Sequence, residues 1–210
     1  MSRTTRSLLF STLYPSSARP LHGIFVETRL RELLRHGRVQ ARVVAPVPWY
    51  GSTRSSNKKY AAVAATPLRE QLNGIDVRHP RYLSIPKVGM TLAPFLLALG
   101  ARPALQAVQR EGFDFDVIDA HYYYPDGVAA ALLARCFGKP LVVTARGTDV
   151  NLIPNYRLPR LLIQWAARQA QASVGVSAAL VERMRALAIA PERLHLMRNG
   201  VDPQIGRAHV

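Results

Sequence analysis

Four short strings place an imidazole, a guanidinium, a carboxylate or a glycine where a sugar or a phosphate could be held. Asp119-Ala120-His121 is followed by Tyr122, Tyr123 and Tyr124 and then by Pro125-Asp126-Gly127. An imidazole beside aromatic rings can hydrogen-bond a hydroxyl or a phosphate while a ring stacks on the apolar face of a sugar. The competing reading of His121 is a structural histidine satisfied inside the fold. In Thr144-Ala145-Arg146-Gly147-Thr148-Asp149 a cation, a glycine and a carboxylate converge. The planar fork of Arg146 suits phosphate, and Asp149 either orients Arg146 or binds a hydroxyl, with a plain structural ion pair as the rival. Gly23 closes a Pro- and Ser-rich loop from Tyr14 just where a helical pattern begins. There it either lets backbone amides approach a phosphate or serves as a simple turn glycine. Ser177 stands where a helix N-cap belongs, so capping is its default role and ligand contact an addition.

These residues share a site only if the fold brings them to one edge. In an open parallel sheet ligands bind beyond the carboxyl ends of the strands, so each string must follow a strand. Apolar β-type runs recur at Ser7–Ser11, Val39–Ala45, Ile75–His79, Asp116–Ala120, Leu141–Thr144, Ala172–Val176 and Leu194–Met197. Helical spacing links Ile24, Leu30, Leu33 and Leu34, then Val128, Ala131, Leu132 and Ala134, then Leu161, Leu162, Trp165 and Ala166. Strands alternating with helices predict an α/β fold, a doubly wound parallel sheet with helices on both faces. The segment Pro46–Asn73, with clustered Gly, Ser, Pro, Lys58 and Lys59, reads as a surface loop.

Composition sets limits. The 210 residues carry 28 Lys and Arg against 13 Asp and Glu, a formal charge of +15, which suits nucleic acid, an acidic membrane face or a phosphorylated small molecule without choosing among them. GC-rich codon usage is the bland alternative source of the arginines. The single cysteine, Cys136, excludes an intrachain disulfide and a cysteine-built zinc site and fits a reducing compartment. No secretion signal is expected in Met1–Phe10. The apolar stretch Met90–Leu99, broken by Pro94 and followed by Arg102 and Pro103, reads as far short of the ~20 residues of a spanning helix. Asp114-Phe115-Asp116 spells a metal-binding D-x-D but precedes its strand, on the wrong edge, so no metal is expected. Arg29, Arg31, Arg35 and Arg38, mixed with Glu27 and Glu32, read as a solvated helical face, with a membrane or nucleic-acid patch as the rival. An NAD-dependent oxidoreductase would need a G-x-G-x-x-G and an acid after the second strand, where Ala45-Pro46 stands.

Gly23-Ile24-Phe25-Val26, Asp119-Ala120-His121, Thr144 to Asp149, Val176-Ser177 and Arg198-Asn199-Gly200-Val201-Asp202 run in one order. As an ordered set they resemble the N-terminal domain of GT-B-fold retaining glycosyltransferases, family 4-like. The resemblance implies a Rossmann-like domain over residues 1–198, the acceptor-side half of a two-domain enzyme. Residues 199–204 would begin the interdomain linker. Ile205–Val210 looks like a translated sequencing adapter, so 205–210 is expected to be a non-native tail, with the chain truncated before the C-terminal domain. By position, Gly23 would meet the donor phosphate or sugar. His121 and Arg146 would be catalytic, and His121, Tyr122, Asp149 and Ser177 would face the acceptor. Arg146 departs from the histidine that many relatives carry, and it cannot act as a general base. The implied reaction transfers a hexose from a UDP- or GDP-sugar to a sugar, lipid or small-molecule acceptor with retention and without a metal or other cofactor. The departing diphosphate oxygen would take the acceptor proton. The donor clamp would lie in the missing half, leaving the fragment inactive. The arginine-rich segments and the apolar stretch interrupted by Pro94 lead to the expectation of a cytoplasmic protein, peripheral at the inner face of an anionic membrane, with nucleic acid not a partner. A non-catalytic α/β module holding a nucleotide, sugar or nucleic acid is the alternative.

Overall fold

Leu8, Leu9 and Phe10 are all buried, as they must be in a strand with neighbours on both sides and helices on both faces. They belong to β1 (Thr5–Phe10), the middle of the sheet in the computed structural model, which describes residues 3–50, 61, 63–84 and 89–199. The further strands are β2 (Val39–Val44), β3 (Val47–Trp49), β4 (Arg69–Leu72), β5 (Ile75–Arg78), β6 (Arg81–Leu83), β7 (Val117–His121), β8 (Leu141–Ala145), β9 (Ala172–Gly175) and β10 (Leu194–Leu196). An eight-stranded sheet has the order β10-β9-β8-β7-β1-β2-β5-β4. Every pairing in it is parallel except that of β4 with β5. The order reverses between β1 and β7, which makes their carboxyl ends the topological switch point where such sheets open a crevice.

Successive side chains of β1 separate the core into two. Leu8 and Phe10 join the larger cluster and Leu9 the smaller, the period of two that a pleated strand imposes. The smaller cluster includes Val26 and Leu30 of α1 (Ile24–Arg35). The larger takes side chains from α2 (Gly89–Arg110), α3 (Val128–Phe137), α5 (Arg157–Gln169) and α6 (Ala178–Ala186); a single turn, α4 (Thr148–Asn151), follows β8. The doubly wound α/β fold expected from sequence is the fold observed.

Two expectations are corrected. Pro46–Asn73 is not all loop: β3 pairs with β6 in a separate two-stranded sheet, and β4 forms a hairpin with β5. Asn73 and Gly74 both have positive φ, 50° and 78°, the two-residue primed turn that an Asn-Gly pair favours. Residues 51–60 of that segment lie outside the described residues, as do Gly200–Val210 and with them the expected tail. Nor does the apolar stretch at Met90 stop at its prolines. α2 contains both Pro94 and Pro103, and Met90–Arg110 is long and apolar enough, by length and composition, to cross a membrane. Its Leu97, Ala101, Leu105 and Val108 lie in the core, while Met90, Leu92, Phe95 and Leu99 are exposed. Pro94 leaves the carbonyl four residues earlier without its helical donor. That carbonyl, of Met90, accepts the Tyr124 hydroxyl instead.

Candidate functional site

The carboxyl ends of β7 and β8 bring together a histidine and two arginines. His121, the last residue of β7, has no exposed surface. Arg146 Nη2 lies 2.6 Å from its Nδ1, and Arg29 Nη1 lies 3.1 Å from its Nε2. Asp119 Oδ2 is 3.4 Å from the same Nε2 and accepts from Arg29 Nη1 at 3.4 Å. A guanidinium can only donate and one faces each ring nitrogen, so a neutral ring can accept from only one of them. The shorter Arg146 contact and the carboxylate beside Nε2 favour Nδ1 as the acceptor, with the Nε2 proton toward Asp119 and Arg29 held by Asp119 instead. Burial pushes the His121 pKa down, Asp119 opposes this, and the two arginines add to it. The ring is therefore neutral near pH 7. Burial and then Arg29 bring Arg146 down to about 10, which still leaves it charged.

Both terminal nitrogens of Arg146 are held, while its buried Nε has no hydrogen-bond partner among the described residues. Its Nη1 donates to Asn199 Oδ1 at 2.8 Å, and its guanidinium carbon sits 5.0 Å from the centre of the Phe25 ring, a cation–π geometry. Below it, Asp149 is fully buried and accepts the backbone N–H of Tyr123 at 2.7 Å, of Arg146 at 3.0 Å and of Gly147 at 2.7 Å. Gly147 has φ 136°, a conformation open mainly to glycine. Of the two roles read for Asp149, the structure gives it the first: it orients Arg146 through the backbone. The acceptor contact expected of it is corrected, because its oxygens face inward and hold amides. His121 is corrected in the same way. With no surface of its own it positions Arg146 and does not touch an acceptor.

Tyr122 follows His121 with φ 82°, which a bulky side chain rarely adopts. Its half-buried ring lines a cavity of about 390 Å³ together with Tyr82, Met90 and Tyr124. Gly23 opens α1 at φ 69°, close against the backbone of Leu13 and Tyr14. Ser177 caps α6, its Oγ accepting from Leu180 N–H at 3.2 Å, a contact worth about 1 kcal/mol. It stands one strand beyond Arg146, and among the described residues no hydrogen bond joins it to the cluster. The D-x-D carboxylates sit at the opposite edge, as expected: Asp116 accepts from Arg6 N–H and Arg3, and Asp114 from Lys139 and Gln109.

Sequence reasoning misses Arg29, read as part of a solvated face. Its side chain is mostly buried, and the available signal is its place three residues after buried Val26 and one before buried Leu30. Asp126 is missed as well. Fully buried, it accepts Thr12 N–H at 2.8 Å and the hydroxyls of Thr12 and Ser11, and burial pushes its pKa up to about 7.

The sequence profile of Glycosyltransferase Family 4 matches residues 60–205. TuaC of Bacillus subtilis (strain 168), named as a teichuronic acid biosynthesis glycosyltransferase, is 32% identical over 150 residues, which are 71% of this chain and 38% of TuaC. Among solved structures, Anabaena Alr3699/HepE in complex with UDP and glucose superposes with a TM-score of 0.53 at 15% identity, over 95% of this chain and 45% of that one. A UDP-glucosyltransferase from Polygonum tinctorium gives 0.53 at 14% identity, over 99% and 56%. The UDP-GlcNAc 2-epimerase of Neisseria meningitidis, bound to UDP-GlcNAc, gives 0.54 at 14%, over 93% and 47%. At such identities these structures share the fold, and the chain spans about half their length.

Proposed function

The chain belongs to Glycosyltransferase Family 4, and on that premise we propose that it is the acceptor-side half of a glycosyltransferase, moving a hexose from a UDP- or GDP-linked sugar to an acceptor with retention and without a metal. The observation that carries this reading is the convergence of Arg29 and Arg146 on one neutral imidazole at the switch point of the sheet. Two guanidiniums share one carboxylate in direct contact, Asp119, while Asp149, buried below Arg146, holds backbone amides, so the strand tips present a local face of guanidinium N–H donors rather than a net surplus of charge. Fixed there and partly shielded from water, it favours phosphate oxygens or a sugar oxygen gaining negative charge.

The state of His121 fits this division of labour. A guanidinium stands against each of its ring nitrogens and it has no exposed surface, so it is not poised to take a proton from an acceptor. In the proposed front-face displacement the bond from the anomeric carbon to the diphosphate oxygen breaks as the acceptor oxygen bonds on the same face. The acceptor proton passes to the departing oxygen. The protein then supplies position and charge. Arg146 would touch the sugar or phosphate, Tyr122 would offer its ring to a sugar face, and Gly23 would let the start of α1 approach the donor. Ser177 remains an acceptor-side contact in this reading.

The domain division belongs to the proposal: residues 1–198 form the acceptor domain, 199–204 begin the connection, and a second doubly wound domain holds the donor diphosphate. The share of each relative that the chain covers supports it. We also place the protein at the cytoplasmic face of an anionic membrane, on the strength of its arginine excess and the exposed Met90, Leu92, Phe95 and Leu99 of α2; absence of flotation with anionic vesicles at low salt would remove that placement. In the intact enzyme, assayed with a panel of UDP- and GDP-hexoses, Arg146→Ala is expected to lower kcat/KM about a hundredfold. An undiminished kcat/KM would take the cluster out of the reaction. The 210-residue chain alone is expected to turn over little or no donor, and normal rates from it would contradict the domain division.

A further inference from the structure

The two arginines of the strand-tip cluster also hold the segment that follows β10. Met197 N–H donates to the Gly175 carbonyl at the end of β9 at 3.0 Å, and two residues later Asn199 Oδ1 accepts Arg146 Nη1 at 2.8 Å. Arg29 Nη2 meets the same segment 3.4 Å from Met197 Sδ, a weak acceptor. Each guanidinium therefore turns one terminal nitrogen inward, Arg146 to His121 and Arg29 to Asp119, and the other to residues 197–199.

Arg146 has one open edge. Its Nη2 is directed at His121, which has no exposed surface, and its Nε is a buried atom. Around Nη1 the surroundings are open, since Asn199 is exposed and Phe25, against the guanidinium, is 41% exposed. An oxygen arriving from the crevice meets Arg146 at Nη1, the edge that Asn199 holds. Asn199 is a weak competitor for it. The amide must present its oxygen, because a guanidinium only donates, and that oxygen carries no formal charge. A phosphate oxygen adds the attraction of opposite charges in a site partly shielded from water. A sugar hydroxyl brings no such advantage, being as neutral as the amide it would replace.

We propose that Asn199 is a placeholder on Arg146, which an anionic oxygen of the donor diphosphate displaces from Nη1, releasing the segment 197–199 from the cluster. The inference rests on the transferase reading above. Of the two groups that reading offers to Arg146, sugar or phosphate, it selects the phosphate. Asn199 is then a positioning residue, acting through Arg146 and aiming its guanidinium until the donor arrives. Residues 199–204 begin the connection in the same reading, so release at Asn199 passes donor binding from the strand tips to the connection.

Titration of the intact enzyme with UDP and with GDP tests this. Asn199→Ala removes the placeholder and is expected to tighten the preferred nucleotide about fivefold, the equivalent of one hydrogen bond. A residue that only held Arg146 in place gives the opposite sign, because its loss weakens binding. Asn199→Asp puts an ion pair where the amide stood and should weaken binding about tenfold. In an Arg146→Ala background the gain from Asn199→Ala should vanish. Hydrogen exchange at the Met197 amide is the second readout. It should quicken when the enzyme is saturated with the nucleotide, and in Arg146→Ala without any ligand, while free glucose or mannose leaves it unchanged. Unchanged or weaker binding in Asn199→Ala, a gain that persists without Arg146, or exchange indifferent to the nucleotide overturns the placeholder. Exchange that quickens equally with free hexose overturns the choice of phosphate. The two readings fail separately. An intact enzyme that binds neither UDP nor GDP and transfers no hexose removes the transferase, whereas one that transfers normally while Asn199→Ala binds no more tightly loses the placeholder alone.

Discussion

Gly23→Ala is expected to destabilise the fold by about 4 kcal/mol and to lower the thermal midpoint by about 10 °C. Gly23 has φ 69° and ψ 26°, a left-handed conformation that costs an L-residue about 1–2 kcal/mol. The larger part is steric. A Cβ at Gly23 would lie 2.3 Å from the carbonyl carbon of Leu13, 2.4 Å from its oxygen and 2.8 Å from the nitrogen of Tyr14. These are backbone atoms with no rotamer to escape into, and overlap of this kind adds about 1–3 kcal/mol. The loop is itself pinned: Leu13 N–H donates to Ser11 Oγ at 3.0 Å, and Thr12 N–H to Asp126. Relief must therefore come from α1, which carries Phe25 against Arg146 and Arg29 against Asp119. Gly37 is an internal control, with the same φ of 69° and nothing within 4 Å of an added Cβ. Gly37→Ala should cost only the conformational part, about 1 kcal/mol. Urea midpoints compare the two, and equal losses would refute the packing argument.

What the sequence discloses and what it hides divide along burial. Strands covered on both faces appear as unbroken apolar runs, so Leu8-Leu9-Phe10 and Leu141-Val142-Val143 are readable without any partner in view. β4, Arg-Glu-Gln-Leu, is an edge strand with one neighbour, and nothing in its composition asks to be buried. Its signal lies in the turn, Asn73-Gly74. α2 is hidden by prolines that normally stop helices, because the group accommodating Pro94 is Tyr124, thirty residues away in sequence. The site divides likewise. The strand-tip rule places His121, Arg146 and Tyr122 correctly, since it follows from topology alone. Whether a side chain at a strand tip faces solvent or the interior is set by neighbours distant in the chain. Asp149 and His121 turn inward for that reason, and Arg29, one arginine among four in its segment, turns toward Asp119.

Asp126 should make the chain lose stability as pH rises, the opposite of the usual carboxylate. It is fully buried between the loop after β1 and the turn before α3, and accepts Thr12 N–H at 2.8 Å and Thr12 Oγ1 at 2.9 Å. Ser11 has one hydroxyl proton for two acceptors, the carbonyl of His121 at 3.1 Å and Asp126 at 3.4 Å. A protonated Asp126 resolves the competition by donating to a neighbouring hydroxyl oxygen, leaving the Ser11 proton for His121. Burial outweighs the hydrogen bonds to the carboxylate, the charge of Asp149 adds to it, and the pKa stands at about 7 against about 3.9 when unfolded. Between those values the folded chain holds more protons than the unfolded one, so the slope of stability with pH is negative. The contribution is complete below pH ~4, is lost as pH rises to about 7, and amounts to about 4 kcal/mol across the window. Asp76, Asp114 and Asp119, all held below the usual range, act with the opposite sign at lower pH and bend the total curve. The difference between the wild type and Asp126→Asn removes them. Urea unfolding from pH 4 to pH 8 should show wild-type stability falling relative to the variant through this window. A flat difference would mean that Asp126 is ionised throughout, with Ser11 and Thr12 sufficient to hold its charge.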